Sequence, residues 1–120
     1  MKTILHITTR RAWEEAKREG SYAPPSLASE GFIHCSTVRQ VVATANAFFR
    51  GQRDLVLLVI DETATSSAVK YEPPADTGQA DPNDLFPHLY GPLDLQAVVR
   101  VIDFPPNLDG TFSLPVDLSP

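Results

Sequence analysis

Leu55-Val56-Leu57-Leu58-Val59-Ile60 is the stretch that most restricts what this chain can fold into. Successive strand side chains point to opposite faces, so an unbroken apolar run needs cover on both sides, whereas a strand with one wet face alternates. The run therefore predicts a central strand, and the rest of the chain must supply its two covers. It is also far shorter than the roughly 20 apolar residues needed to cross a bilayer, and no longer apolar run occurs.

Candidate covers lie on either side. Thr3 to Ile7 reads as a short strand, and Thr8 or Thr9 can cap a helix from Arg10 to Glu19 that Gly20 stops, with Ala12, Trp13 and Ala16 near one face. Ser21 to Glu30, with Pro24 and Pro25, reads as a surface loop leading into a strand at Gly31 to Cys35. Thr37 and Gln40 form a capping box. The helix they open carries Val38, Val41, Val42, Ala45, Phe48 and Phe49 on one stripe and ends at Gly51. Val69 to Glu72 reads as a short strand and Pro73 to Asp84 as a long connection. Phe86 to Leu93 reads as a loop stiffened by prolines, Ala97 to Phe104 as a second central strand, and Thr111 to Leu114 as an edge strand in the tail. Together these elements predict one α+β domain over residues 1–120.

Charge and cysteine content narrow the function classes. Ten Lys and Arg against fifteen Asp and Glu give a formal net charge of −5, with both signs interspersed. That balance argues against duplex nucleic acid, which calls for a clustered basic face. The single cysteine, Cys35, permits no intramolecular disulfide. Polar residues interrupt the apolar N-terminus too early for a secretory signal, and with no membrane span the expected location is cytoplasmic.

The alternation rule also sorts the chemically active side chains. Phe32, His34 and Ser36 share one face of their strand, and Ile33 and Cys35 share the other. His6 shares a face with Ile4 and Thr8. If these strands are neighbours, His6 and His34 line one polar strip. Cys35 then points inward, where burial raises a thiol's pKa, so a small core hydrophobe competes with a protease-like Cys–His pair. Three histidines, His6, His34 and His88, are enough for a catalytic zinc, yet their spacing fits no HxxxH pattern, and satisfied structural histidines are the rival reading. Ser36 stands roughly 7 Å from a side chain two residues away on a strand, too far for direct proton transfer with His34. Phe86 and Tyr90 flank His88 in a proline-bounded segment that either stacks a planar ring or plugs the core. Glu72, next to the long connection, offers one carboxylate near a candidate cleft, and an exposed salt-bridging or solvated glutamate is the rival and favoured reading. Arg100, inside an apolar strand, is expected to snorkel or to pair with an acid such as Asp61.

Leu5-His6-Ile7, Trp13, Gly31-Phe32-Ile33-His34-Cys35-Ser36, Thr44-Ala45-Asn46, Phe49, Gly51, Leu55 to Asp61, Tyr71-Glu72 and Phe86-Pro87-His88-Leu89-Tyr90-Gly91-Pro92-Leu93 together resemble the uncharacterised bacterial domain-of-unknown-function 952 family, over residues 3–104. Residues 105–120 are left as a tail. That family is distantly similar to the ADP-ribosyltransferase fold. The resemblance implies a small split, mostly antiparallel β core with two main helices packed at its edges. In that fold an early-strand histidine and a serine or threonine on the next strand hold the nicotinamide ribose and amide of NAD. His6 matches the first position, and Ser36, or else His34, the second. Such transferases also place a glutamate on a late strand to stabilise an oxocarbenium-like sugar. No residue here matches it, since Glu72 lies elsewhere on the chain and His88 differs chemically. RNA 2'-phosphotransferases of similar fold use His and Arg, but this acidic chain lacks the basic surface for RNA.

The leading expectation is a domain that binds NAD or an ADP-ribose-related nucleotide and acts as an ADP-ribosyltransferase-like enzyme. His6, His34 and His88 are the catalytic candidates, and His6, Thr8, His34, Ser36 and Tyr90 the ligand-binding ones. The alternatives are a non-catalytic small-molecule sensor or protein-interaction module, and a metal-dependent hydrolase using the three histidines.

Overall fold

The apolar run forms the strand β4 (Leu55–Asp61), which lies between β1 (Thr3–Thr9) and β8 (Val98–Asp103) in an antiparallel sheet. Residues 2–74 and 84–118 are described by the computed structural model. The double cover takes the form that alternation requires. Leu55, Leu57 and Val59 pack with Leu5, Ile7, Phe104 and Phe112 on one face, and Val56, Leu58 and Ile60 with Ile4, Trp13, Ile33 and Leu89 on the other. Two helices supply much of the cover. α1 (Arg10–Glu19) buries Trp13 and Ala16 on the second face, and α3 (Val41–Phe48) buries Val41 and Ala45 on the first. Both main helices thus lie against the faces of this sheet rather than at its edges, because the apolar faces of β4 are what need covering.

α1 has the predicted limits. Thr9 accepts from the Ala12 N–H, and Gly20, at φ 91°, donates back to Ala16. α3 is shorter than the stripe of apolar residues suggested. Thr37 to Gln40 form a turn before it, in which Gln40 Oε1 does reach back to the Thr37 N–H at 2.9 Å.

Other expectations are corrected. Ser21 to Glu30 is not loop throughout: β2 (Ser21–Tyr22) pairs with β7 (Leu93–Asp94), and a short helix, α2 (Pro25–Glu30), starts at the second proline, whose fixed φ suits a first helical turn. β3 is only Ile33–His34. Phe86 to Tyr90 is not a loop but the strand β6, central between β3 and β5 (Ala68–Glu72). Its proline disguised it, since a mid-strand proline usually argues against a central strand. Here Pro87 accepts from the Cys35 N–H at 3.0 Å but has no N–H to return, and the chain then leaves β6 to pair Ser36 with Leu5 of β1 at 2.7 and 2.8 Å. The missing donor falls where the two sheets part.

β8 is an edge strand, not a central one, with Val99 and Val101 exposed. Arg100 accordingly reaches the solvent side and pairs with Asp117 at 2.8 Å rather than with Asp61. Thr111 to Leu114 forms no strand; Phe112 instead stacks on Phe104, their centroids 4.8 Å apart. Every strand pairing among the described residues is antiparallel. Most of the expected Pro73–Asp84 connection lies outside the described residues.

Gly91 joins β6 to β7 at φ 154°, and a Cβ there would lie 2.3 Å from Ser67 Oγ and 2.9 Å from Ser67 Cβ. Gly91→Ala is expected to cost about 1–3 kcal/mol from the forced contact and strained backbone. A lowered urea midpoint with an unchanged m-value is the expected signature; an unchanged midpoint would mean that Ser67 moves aside freely.

Candidate functional site

A cleft of about 960 Å³ opens between α3 and the β3–β6 pair, within the usual range of ligand pockets. His34, Ser36, Arg39, Gln40, Phe86 and His88 are among the residues that line it. Alternation on β6 puts Phe86, His88 and Tyr90 on one face, and the register of the sheet sets His34 opposite His88 and Glu72 opposite Phe86.

His88 is buried at 3 % exposure, yet held by a carboxylate. Its Nδ1–H donates to Glu72 Oε1 at 2.8 Å, and the same oxygen accepts from the Tyr90 hydroxyl at 2.5 Å. The hydrogen bonds from Tyr90 and His88 hold the Glu72 carboxyl below its ordinary pKa, and Glu72 in turn raises the Tyr90 phenol. The back of the imidazole stacks on Phe32, with centroids 4.1 Å apart and planes 19° apart. Nε2 has no hydrogen-bond partner among the described residues, and none of their fully buried polar side-chain atoms is left unpaired. His88 lines the cleft, and Nε2 is the nitrogen left to face it. A carboxylate-held imidazole presenting its second nitrogen is the geometry of a general base or acid.

His34 stands beside it, its ring 5.8 Å from that of His88 in an edge-on arrangement. Its Nε2 lies 2.9 Å from Glu30, and the side chain is 45 % exposed.

His6 has a different environment. Nδ1 donates to the His34 carbonyl at 2.6 Å, since a carbonyl can only accept. That fixes Nε2 as the acceptor from the Tyr22 hydroxyl at 2.8 Å, so the Thr8 hydroxyl, 2.9 Å from Tyr22, donates to the tyrosine oxygen. Burial lowers the His6 pKa to about 4 and keeps the ring neutral. His6 lines the cleft, but with both nitrogens engaged it has none free to offer a ligand, and Thr8 is connected to the site only through Tyr22 and His6.

The three histidines do not converge, and among the described residues no group of three His, Cys, Asp or Glu side chains could hold a metal. The metal-dependent hydrolase reading loses its ligand set on this geometry. Cys35 points into the core, and burial pushes its thiol up to about 12, which leaves no thiolate for a Cys–His pair.

Sequence reasoning undervalued Glu72. Residue type alone leaves Glu72 a salt-bridging or solvated glutamate near the cleft with no named partner, because nothing local links it to His88, sixteen residues away; only the β5–β6 register does. The Phe-x-His-x-Tyr alternation of β6 was the available signal, and Pro87 masked it. Arg39 carried no motif, and the capping box that singled out Gln40 gave no sign that its amide N–H groups also tie α3 to Leu85 O at 2.8 Å and to Asp84 at 3.0 Å.

The fold is shared with solved structures. The chain is 35 % identical to CC0527 from Caulobacter crescentus, whose crystal structure matches with a TM-score of 0.83 over 98 % of each chain. A double mutant of CC0527 gives 0.82 at 35 % identity over 98 % of each chain. Its solution NMR structure gives 0.78 at 34 % identity, covering 95 % of this chain and 94 % of that one. No curated protein matches the chain. A family model described as "Protein of unknown function (DUF952)" matches residues 7–101, and the chain belongs to that family.

Proposed function

We propose that the cleft binds a nucleotide of the NAD or ADP-ribose class and that His88, held by Glu72, transfers a proton at its wall. The observation that carries this reading is the buried His88 imidazole, fixed on one side by a carboxylate and on its back by Phe32, with Nε2 turned to a cleft of about 960 Å³. His34 and Ser36 flank it from β3 and its extension, where they can contact the sugar–phosphate part of the ligand. His6 is a positioning residue in this scheme, since it holds the His34 carbonyl. Thr8 locks His6 through Tyr22, and Tyr90 shares the Glu72 carboxylate. Glu72 itself reaches the cleft only through His88, so acid–base chemistry by imidazole fits the wall better than stabilisation of an oxocarbenium sugar by a bare carboxylate.

Thermal-shift titration with NAD and with ADP-ribose, on wild type and on His88→Ala, tests the reading. A ligand present at about 100 times its Kd raises native stability by about 2.7 kcal/mol, and the variant is expected to lose that gain. Chromatographic assay for free nicotinamide then separates the two forms of the idea: His88-dependent release indicates an enzyme, and binding without release a sensor. No shift with either nucleotide at millimolar concentration overturns the proposal.

A further inference from the structure

We propose that the Ser36–Gln40 turn is a phosphate subsite: the Ser36 hydroxyl, the backbone N–H groups of Val38 and Arg39, and the Arg39 guanidinium together take one phosphate group of a ligand lying in the cleft. This deepens the nucleotide reading by naming what one end of the cleft holds, and rests on that reading only for the nucleoside part.

The turn carries two backbone donors without an acceptor among the described residues. Within the turn, the Thr37 N–H is taken by Gln40 Oε1 at 2.9 Å, while the Gln40 and Val41 N–H groups both go to the Thr37 carbonyl at 3.1 and 3.2 Å. The N–H groups of Val38 and Arg39, between them, have no acceptor among the described residues. They stand immediately before the eight-residue helix α3, whose aligned peptide dipoles favour an anion at this end.

A helix start alone is not a site, and the second observation is Ser36. Its side chain is 4 % exposed and lines the cleft, and its hydroxyl has no hydrogen-bond partner among the described residues. Ser36 lines the cleft, and the hydroxyl is the polar atom its side chain has to offer there. It is a near-buried donor waiting on a ligand atom. The third is Arg39, which also lines the cleft and forms no ion pair among the described residues, although the chain is acidic overall. A planar guanidinium offers paired N–H donors that match two phosphate oxygens. The acids on the same walls are already engaged, Glu30 by His34 and Asp84 by Gln40. Hydroxyl, orphan amides and guanidinium all donate, so the complementary group is a fully ionised acceptor such as a phosphate.

The test is calorimetric titration of the full chain with inorganic phosphate, AMP and adenosine, on wild type and on Arg39→Ala. Arg39 is exposed, so its removal leaves the core untouched, and an unchanged melting temperature in ligand-free buffer verifies that. The expected result is that AMP and phosphate bind wild type, adenosine binds it more weakly than AMP, and Arg39→Ala weakens AMP and phosphate by about 10- to 100-fold while leaving adenosine alone. Ser36→Ala is expected to move the same two ligands in the same direction by a smaller factor. Phosphate binding that depends on Arg39, with no binding of NAD, ADP-ribose or adenosine, sustains the subsite and removes the nucleotide reading. AMP or NAD binding that Arg39→Ala leaves unchanged overturns the subsite and spares that reading. Absence of both phosphate and AMP binding at millimolar concentration overturns the subsite outright.

Discussion

Leu58→Ala is expected to destabilise the fold by about 2–5 kcal/mol, the usual cost of truncating a fully buried leucine whose neighbours cannot close the gap. Leu58 has no exposed surface and sits on the face of β4 shared with Trp13, Ile33 and Leu89, between the two sheets. Its neighbours in the ladder, His6 on β1 and Val101 on β8, are fixed by backbone pairing, so little relaxation is available. Urea unfolding followed by fluorescence of Trp13 reads the loss directly as a lower midpoint. Val101→Ala, opposite Leu58 but on the exposed edge strand, serves as the contrast, with an expected cost of at most about 1 kcal/mol. Equal losses at the two positions would contradict the assignment of β4 as the doubly covered strand and β8 as the edge.

Acidification is the second large expected effect. Burial takes the His6 pKa from its ordinary 6.5 to about 4. Between these values the unfolded chain binds a proton at this residue and the folded one does not, so stability rises with pH across the window. The contribution of His6 is fully present above pH 6.5 and is lost as pH falls toward 4, a change of about 3 kcal/mol at 1.36 kcal/mol per unit. Glu72 acts in the same direction but lower down, because its lowered carboxyl only begins to separate folded from unfolded below its ordinary 4.5. Unfolding free energies at several pH values between 4 and 7 are expected to show the slope, and His6→Gln to flatten it. NMR titration of the His6 imidazole in wild type provides an independent check. A ring titrating near 6.5 would mean that the Nδ1–carbonyl and Nε2–tyrosine bonds do not hold it neutral.

Local chemistry explains which parts of the fold were readable in advance. Thr9, Gly20 and the apolar face between them delimit α1 without help from the rest of the chain, and two-residue alternation placed Leu5 and Ile7 opposite Ile4, His6 and Thr8 as observed. The unbroken run of β4 announced its own double burial. Errors came where local signals pointed one way and pairing the other. Pro87 looked like loop punctuation, yet its missing N–H falls where β3 leaves β6 for β1. Val98 to Asp103 is apolar enough for a central strand, but among the described residues only one strand pairs with it. Pro24-Pro25 read as a loop although a proline at the first helical position is compatible with α2.

The candidate site divides along the same line. That His6, His34, Ser36, His88 and Tyr90 are the candidate site residues, and that His34 and Ser36 are expected to share a strand face, is read from residue type and strand period in the sequence by itself. Their roles do not. Whether a histidine offers a free nitrogen depends on which groups meet the other one, and those groups come from distant segments: the His34 carbonyl and Tyr22 for His6, Glu72 for His88, Glu30 for His34. Strand alternation is a property of the backbone and is written locally; hydrogen-bond partners are set by register between strands, which only the tertiary structure decides.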